Sequence, residues 1–201
     1  MTRSFAQMAR SAELSSRSIQ VPKTSSEVPT MAIHTLGDPV LRSPARRISK
    51  VDHSVRDLAR DMLRSMYNAK GIGLAAPQVG VHKQLLVMDL DPENAATPPM
   101  VFINPEIRSF GAGLDTYEEG CLSIPGVYLN VVRPTVVEVA FRDEFGRPQR
   151  LKADGLLARC IQHEMDHLHG VLFVDRVTDE LSLNEELKDH GFQRGDVRTI
   201  S

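Results

Sequence analysis

His163-Glu164-Met165-Asp166-His167 places two imidazoles four residues apart, with a carboxylate directly after the first. On a helix, positions i and i+4 share one face, about 6 Å apart along the axis. Two ring nitrogens from that face can meet at one metal ion, and Glu164, one step round, can face a water on it. An amphipathic helix with solvated histidines is spelled the same way, so the surroundings decide.

A metal site needs a third protein ligand, and the chain has two cysteines, Cys121 and Cys160. Cys160 shares the helical stripe of His163, but Cys160 to His167 is about 10 Å of helix rise. Metal–ligand bonds are only about 2.0–2.3 Å, so one straight helix cannot converge all three. Cys160 is read as a small buried hydrophobe. Cys121, in Glu119-Gly120-Cys121-Leu122-Ser123, lies far enough upstream to approach from another element. A thiolate and two neutral imidazoles leave a divalent ion with one open position, the catalytic rather than the closed structural pattern. Such an ion lowers the pKa of water to near neutrality.

A third segment, Gly71-Ile72-Gly73-Leu74-Ala75-Ala76-Pro77-Gln78-Val79-Gly80, combines small residues that let backbone approach a ligand with the amide donor of Gln78. Together with Glu119–Ser123 and Gln162–Gly170 (Q-H-E-M-D-H-L-H-G) it closely resembles the three signature motifs of peptide deformylase, in the family's order, within a resemblance from about Ile33 to Asp179. The resemblance implies that Cys121, His163 and His167 are metal ligands and Glu164 the general acid/base. Gln78 and the backbone N–H of Leu122 would stabilise the oxyanion. It also implies removal of the formyl group from the N-formylmethionine of nascent chains, with Fe2+ as the physiological ion and Zn2+, Ni2+ or Co2+ able to replace it. Gly120 before the cysteine resembles the variant common in Gram-negative bacteria, cyanobacteria and organelles. Ile72, Gly73, Tyr117, Leu156, Arg159 and Cys160 would wall the methionine pocket. Arg159 is unusual there; either its stem lines the wall with its head in water, or it points elsewhere.

Two other readings remain at this point. A zincin-type peptidase would draw its third ligand from a downstream acid such as Glu185 or Glu186. A non-catalytic, ribosome-associated metal-binding module would leave Glu164 without a task.

Around these residues the pattern predicts an α+β fold, antiparallel sheets around a central metal-bearing helix, with an N-terminal helix and a C-terminal helical tail. Val55, Leu58, Met62, Leu63 and Met66 recur at helical spacing between Asp52 or Ser54 and a stop at Gly71. Gln84–Leu90, Val101–Ile107 and Val127–Val132 read as strands, and Asp91–Pro99 as a loop. Thr135–Arg142 and Gln149–Ala153 flank a turn at Asp143–Arg147. Asp154 is the expected cap of the metal-bearing helix and Gly170 its end.

Residues 31–178 are the expected catalytic domain, after a flexible Ser/Arg-rich extension at 1–30 and before a partly helical tail at 179–201. The extension suits a disordered bacterial segment, or alternatively a plastid or other organellar transit peptide. The 201 residues suit one domain, and the net charge of −2 predicts no direct nucleic-acid binding. No apolar run reaches the roughly 18–20 residues that span a bilayer. Two cysteines fit a reducing compartment, here the bacterial cytoplasm. From Thr178 to Ser201 six acids face three bases, so transient ribosome association would use a face such as Arg42, Arg46 and Arg47 rather than the tail.

Overall fold

The computed structural model describes residues 19–24 and 31–200. Asp52 starts α1 (His53–Asn68), its carboxylate accepting from the Val55 N–H and from Ser54 Oγ, which satisfies a donor the first turn leaves open. Val55, Ala59, Met62, Leu63 and Met66 are buried along one stripe, as their spacing predicts. The stop differs from expectation. Lys70 turns the chain at φ 57°, and the Gly71 N–H closes onto the Met66 carbonyl at 2.9 Å.

Seven strands follow in chain order: β1 (Gly73–Ala75), β2 (Leu85–Met88), β3 (Met100–Phe110), β4 (Leu114–Cys121), β5 (Ile124–Pro134), β6 (Val136–Arg142) and β7 (Pro148–Asp154). One antiparallel sheet has the order β1-β2-β3-β6-β7, and β4 pairs with β5 in a second. The pleat sends Leu85, Val87, Val101 and Ile103 to one face, against α1, and Leu86, Met88, Phe102, Val137, Val139 and Leu151 to the other. On that second face lies α2 (Gly155–Leu168), presenting Leu157, Ile161, Met165 and Leu168. Each such side chain, fully buried, contributes ~1.5–3 kcal/mol, which fixes α2 as the central helix of an α+β fold.

Two strands escape the sequence pattern. β1 is only three residues long, and the run of acids and exposed positions in β4 hides any alternation. Asp154 does occupy the cap position of α2, but its side chain makes no capping hydrogen bond. After Leu168 the chain leaves the helix through His169 and Gly170, which has φ 75°.

Both ends of the described chain are tied down. Ile19 is buried against α1, and Lys23 Nζ meets Asp89 at 2.6 Å and the carbonyls of Asp91, Asn94 and Thr97 at 3.0, 2.9 and 2.6 Å. Tyr67 donates to the same Asp89 carboxylate at 2.7 Å. The rest of 1–30, with its transit-peptide reading, lies outside the described residues. At the other end Asp179 caps α3 (Glu180–Asp189), which buries Leu183 and Leu187 against Ile124, Val127 and Phe173. Arg42, expected in a basic face, is instead engaged by Asp175 and the carbonyls of Gly170 and Asp196. Among the described residues no helix is long and apolar enough to cross a membrane.

Candidate active site

α2 sets His163 and His167 on one face, their ring centroids 5.2 Å apart. Cys121 ends β4, where the register with β5 shifts between Gly120 and Cys121. Glycine leaves room at position 120: a Cβ would stand 2.5 Å from the Tyr128 ring, which would have to shift. The shift swings Cys121 toward α2, so that its Sγ and one nitrogen of each histidine all lie within 4.8 Å of one another. Cys121 Sγ and His167 Nε2 are 3.3 Å apart. An ion bonded to each at about 2.0–2.3 Å needs tetrahedral neighbours about 3.3–3.8 Å apart, a spacing the Cys121–His167 pair already has. The buried His167 Nδ1 and Glu164 Oε2 lack partners among the described residues. Cys160 stands apart from this group, against Gly73 and Glu164, and burial pushes its thiol well up.

The imidazole orientation comes from a residue the sequence reading quoted without a role. Glu119 Oε2 bonds His163 Nδ1 at 2.9 Å, which leaves Nε2 for the site. Arg133 forks onto Glu119 at 2.6 and 2.9 Å and reaches Asp166 at 2.7 Å. Arg159 adds a bond to Glu119 at 2.7 Å, and Arg176 two to Asp166 at 2.6 Å. Burial alone would raise the pKa of Glu119, but the bonds from Arg133 and His163 outweigh it and hold the carboxyl well below its ordinary range. Asp166 is buried and joins Arg133 to Arg176. Arg133 carried a signal: it continues the inward phase of Val127, Leu129 and Val131 on β5, and a charge in a buried phase needs a partner.

Gln78 sits in a single 3-10 turn, Ala76–Val79. Its Oε1 accepts from the Ala75 N–H at 2.8 Å, so Nε2 points toward Ser123 Oγ (3.1 Å) and Cys121 Sγ (3.5 Å). Leu122 lies in the turn between β4 and β5, with its side chain against Gly71. Glu164 is buried on α2 facing Gly73, and burial is the main cause that raises its carboxyl to about 7. A carboxyl poised there can take and return a proton at neutral pH.

A cleft of about 550 Å3 opens onto these groups. Ile72, Gly73, Tyr117, Leu156, Arg159 and Cys160 all line it, with Tyr117 and Leu156 at its exposed rim. The head of Arg159 is not in water as the first of its two readings had it. It is buried, bonded to Glu119 and to the carbonyls of Val131 and Asp115 at 3.0 and 2.9 Å. Its stem is what remains for the wall. Glu185 and Glu186 lie on α3, with Glu186 3.7 Å from His190, and take no part in the Cys121–His163–His167 group.

Comparison with known proteins gives the family. Residues 30–182 match the model of the polypeptide deformylase family. The chain is 71% identical over 201 residues to a peptide deformylase of Synechococcus sp. (strain CC9605), covering 100% of both chains. It is also 71% identical, again over 100% of both chains, to one of Parasynechococcus marenigrum (strain WH8102). Among solved structures, a peptide deformylase from Synechococcus elongatus in complex with actinonin superposes with a TM-score of 0.90 at 58% identity, covering 91% of this chain and 100% of that one. One from Legionella pneumophila superposes with a TM-score of 0.75 at 41% identity, covering 81% and 96%. The chain belongs to the peptide deformylase family.

Proposed function

We propose that Cys121, His163 and His167 hold one divalent ion and that Glu164 moves the proton in the deformylation of nascent polypeptides that this family carries out. The observation that supports it most is the convergence of the three donor atoms within 4.8 Å, beside a buried Glu164 oxygen that has no partner among the described residues. The ion, when bound, supplies Lewis acidity that polarises a carbonyl and lowers the pKa of water.

The chain's own residues do the rest. Glu164 accepts the proton that water loses on attacking the formyl carbon, then passes it to the departing amine, and formate leaves. The Gln78 amide, held by the Ala75 N–H, and the Leu122 N–H donate to the oxygen as it gains charge; such donors are worth ~3–4 kcal/mol when removed singly. Glu119 keeps His163 in the tautomer that frees Nε2. Ile72, Gly73, Tyr117, Leu156 and the stem of Arg159 take up the methionine side chain. The peptidase and non-catalytic readings are set aside, because the chain belongs to the deformylase family over its full length.

The physiological ion in this reading is Fe2+, with Zn2+, Ni2+ or Co2+ as competent substitutes, since thiolate and imidazole suit all of them. The working compartment is the bacterial cytoplasm, with transient ribosome association, and residues 31–178 form the catalytic unit. Anaerobic purification, metal analysis and timed exposure to air test the choice of ion. Stoichiometric iron with activity that decays in air is the expected result; full, stable activity in air with iron as the sole bound metal would overturn it.

A further inference from the structure

The five-stranded sheet is covered unevenly. On the face turned away from α2, α1 lies over β2 and β3, whereas Arg142, Arg150 and Lys152 on β6 and β7 are exposed to solvent. Along that border runs a groove of about 460 Å3 lined by Arg47, Arg108, Arg142 and Arg150 together with Asn104 and Gln149, with Glu106 as its only carboxylate. Arg108 is paired with Glu106 at 2.9 Å, and Arg142 donates to the Gly146 carbonyl at 2.7 Å. Arg47 and Arg150 make no side-chain bond among the described residues. Four guanidiniums against one lining carboxylate, Glu106, form a local positive field on a chain whose net charge is −2; Glu138 lies further along the same face, opposite Lys152. These arginines lie far apart in the sequence, which is why the overall charge gave no hint of them.

We propose that this groove docks the phosphate backbone of double-helical RNA. Guanidinium forks match phosphate oxygens two at a time, which a lysine ammonium does not. A protein partner would want a broad apolar centre to the interface; here Ala140, Phe141 and Pro148 are the apolar lining beside four guanidiniums, and the amides of Asn104 and Gln149 are already held by Ile48 and Asp143. Interfaces with nucleic acid are polar and strongly positive. Strand alternation places Val139 and Leu151 toward α2 and the active site, and Ala140 and Arg150 on the opposite face. RNA held in the groove therefore leaves the cleft beside Tyr117 and Leu156 open. The setting rests on the deformylase reading, because nascent chains are made beside structured RNA, but the binding itself is measured without any turnover.

The test uses the full metal-loaded chain and a short fluorescein-labelled RNA duplex, followed by anisotropy. Four phosphate contacts give a salt slope near −3.6, so affinity should fall roughly a hundredfold between about 50 and 200 mM salt. Arg47→Glu/Arg150→Glu should abolish binding while leaving turnover of formyl-Met-Ala unchanged, which also shows that the variant folds. A charge-matched control, Arg60→Glu/Arg64→Glu on the exposed side of α1, should reduce binding no more than a few-fold. Three results would overturn the proposal: no RNA binding at low salt, equal loss in the control variant, or tighter groove-dependent binding of an oligoglutamate of matched charge.

Discussion

Glu119→Gln is the most telling single change, because one carboxylate serves the His163 imidazole and two guanidiniums at once. It receives four bonds of 2.6–2.9 Å, two from Arg133 and one each from Arg159 and His163. Glutamine keeps the shape and one accepting oxygen, but it removes the charge and turns a second acceptor into a donor. Arg133 then retains Asp166, and Arg159 retains the Val131 and Asp115 carbonyls. Removing one partner of a buried pair costs ~3–5 kcal/mol, and discounting for the partners retained leaves ~2–4. For a chain of this size that lowers Tm by ~4–16 °C. Because His163 loses its orienting acceptor, metal affinity should fall ~10–100-fold. A chelator titration beside thermal unfolding reads both effects. The depressed carboxyl contributes stability above the ordinary carboxylate range and loses it as pH falls, so the gap between wild type and variant should narrow in acid. An unchanged Tm together with unchanged metal affinity would refute the role given to Glu119.

Lys23→Met should cost about 3 kcal/mol, because among the described residues it leaves the buried Asp89 carboxylate with Tyr67 and the Asp91 N–H. Chemical denaturation of the single variant and of Lys23→Met/Asp89→Asn checks this; the double variant should recover part of the loss, and wild-type stability in the single variant would contradict it. Gly73→Ala places a Cβ on Glu164 Oε1 and 3.0 Å from Cys160 Sγ, so kcat should fall on the order of a hundredfold while metal content is kept. Normal turnover would mean that Glu164 has room the structure does not show.

How much of this was legible in the sequence depends on where each partner lay. His163, Glu164 and His167 are spelled within one helical turn, and α1 and α2 declare themselves through apolar spacing. Cys121 was placed at the site because Cys160 fails a distance that helix geometry supplies. The strand carrying Cys121 was not legible, because its first five residues, Leu114 to Glu118, are all exposed and show no alternation. Glu119, Arg133 and Asp166 meet across three elements, and no local pattern encodes a contact between residues so far apart. Arg133 alone left a trace, as a charge in the inward phase of β5. The latch of Lys23 on Asp89 and the convergence of Arg47, Arg108, Arg142 and Arg150 likewise depend on sheet topology, which spacing along the chain does not record.

Formate release from formyl-Met-Ala, measured for the wild-type chain and Glu164→Gln with metal content determined on the same samples, tests the proposed chemistry most directly. Wild type should release formate and leave an unformylated peptide intact. Glu164→Gln should bind the same amount of metal and lose ~10²–10⁴ in rate, since an amide cannot accept the proton. Near-normal formate release from metal-loaded Glu164→Gln would show that the proton is carried by some other group.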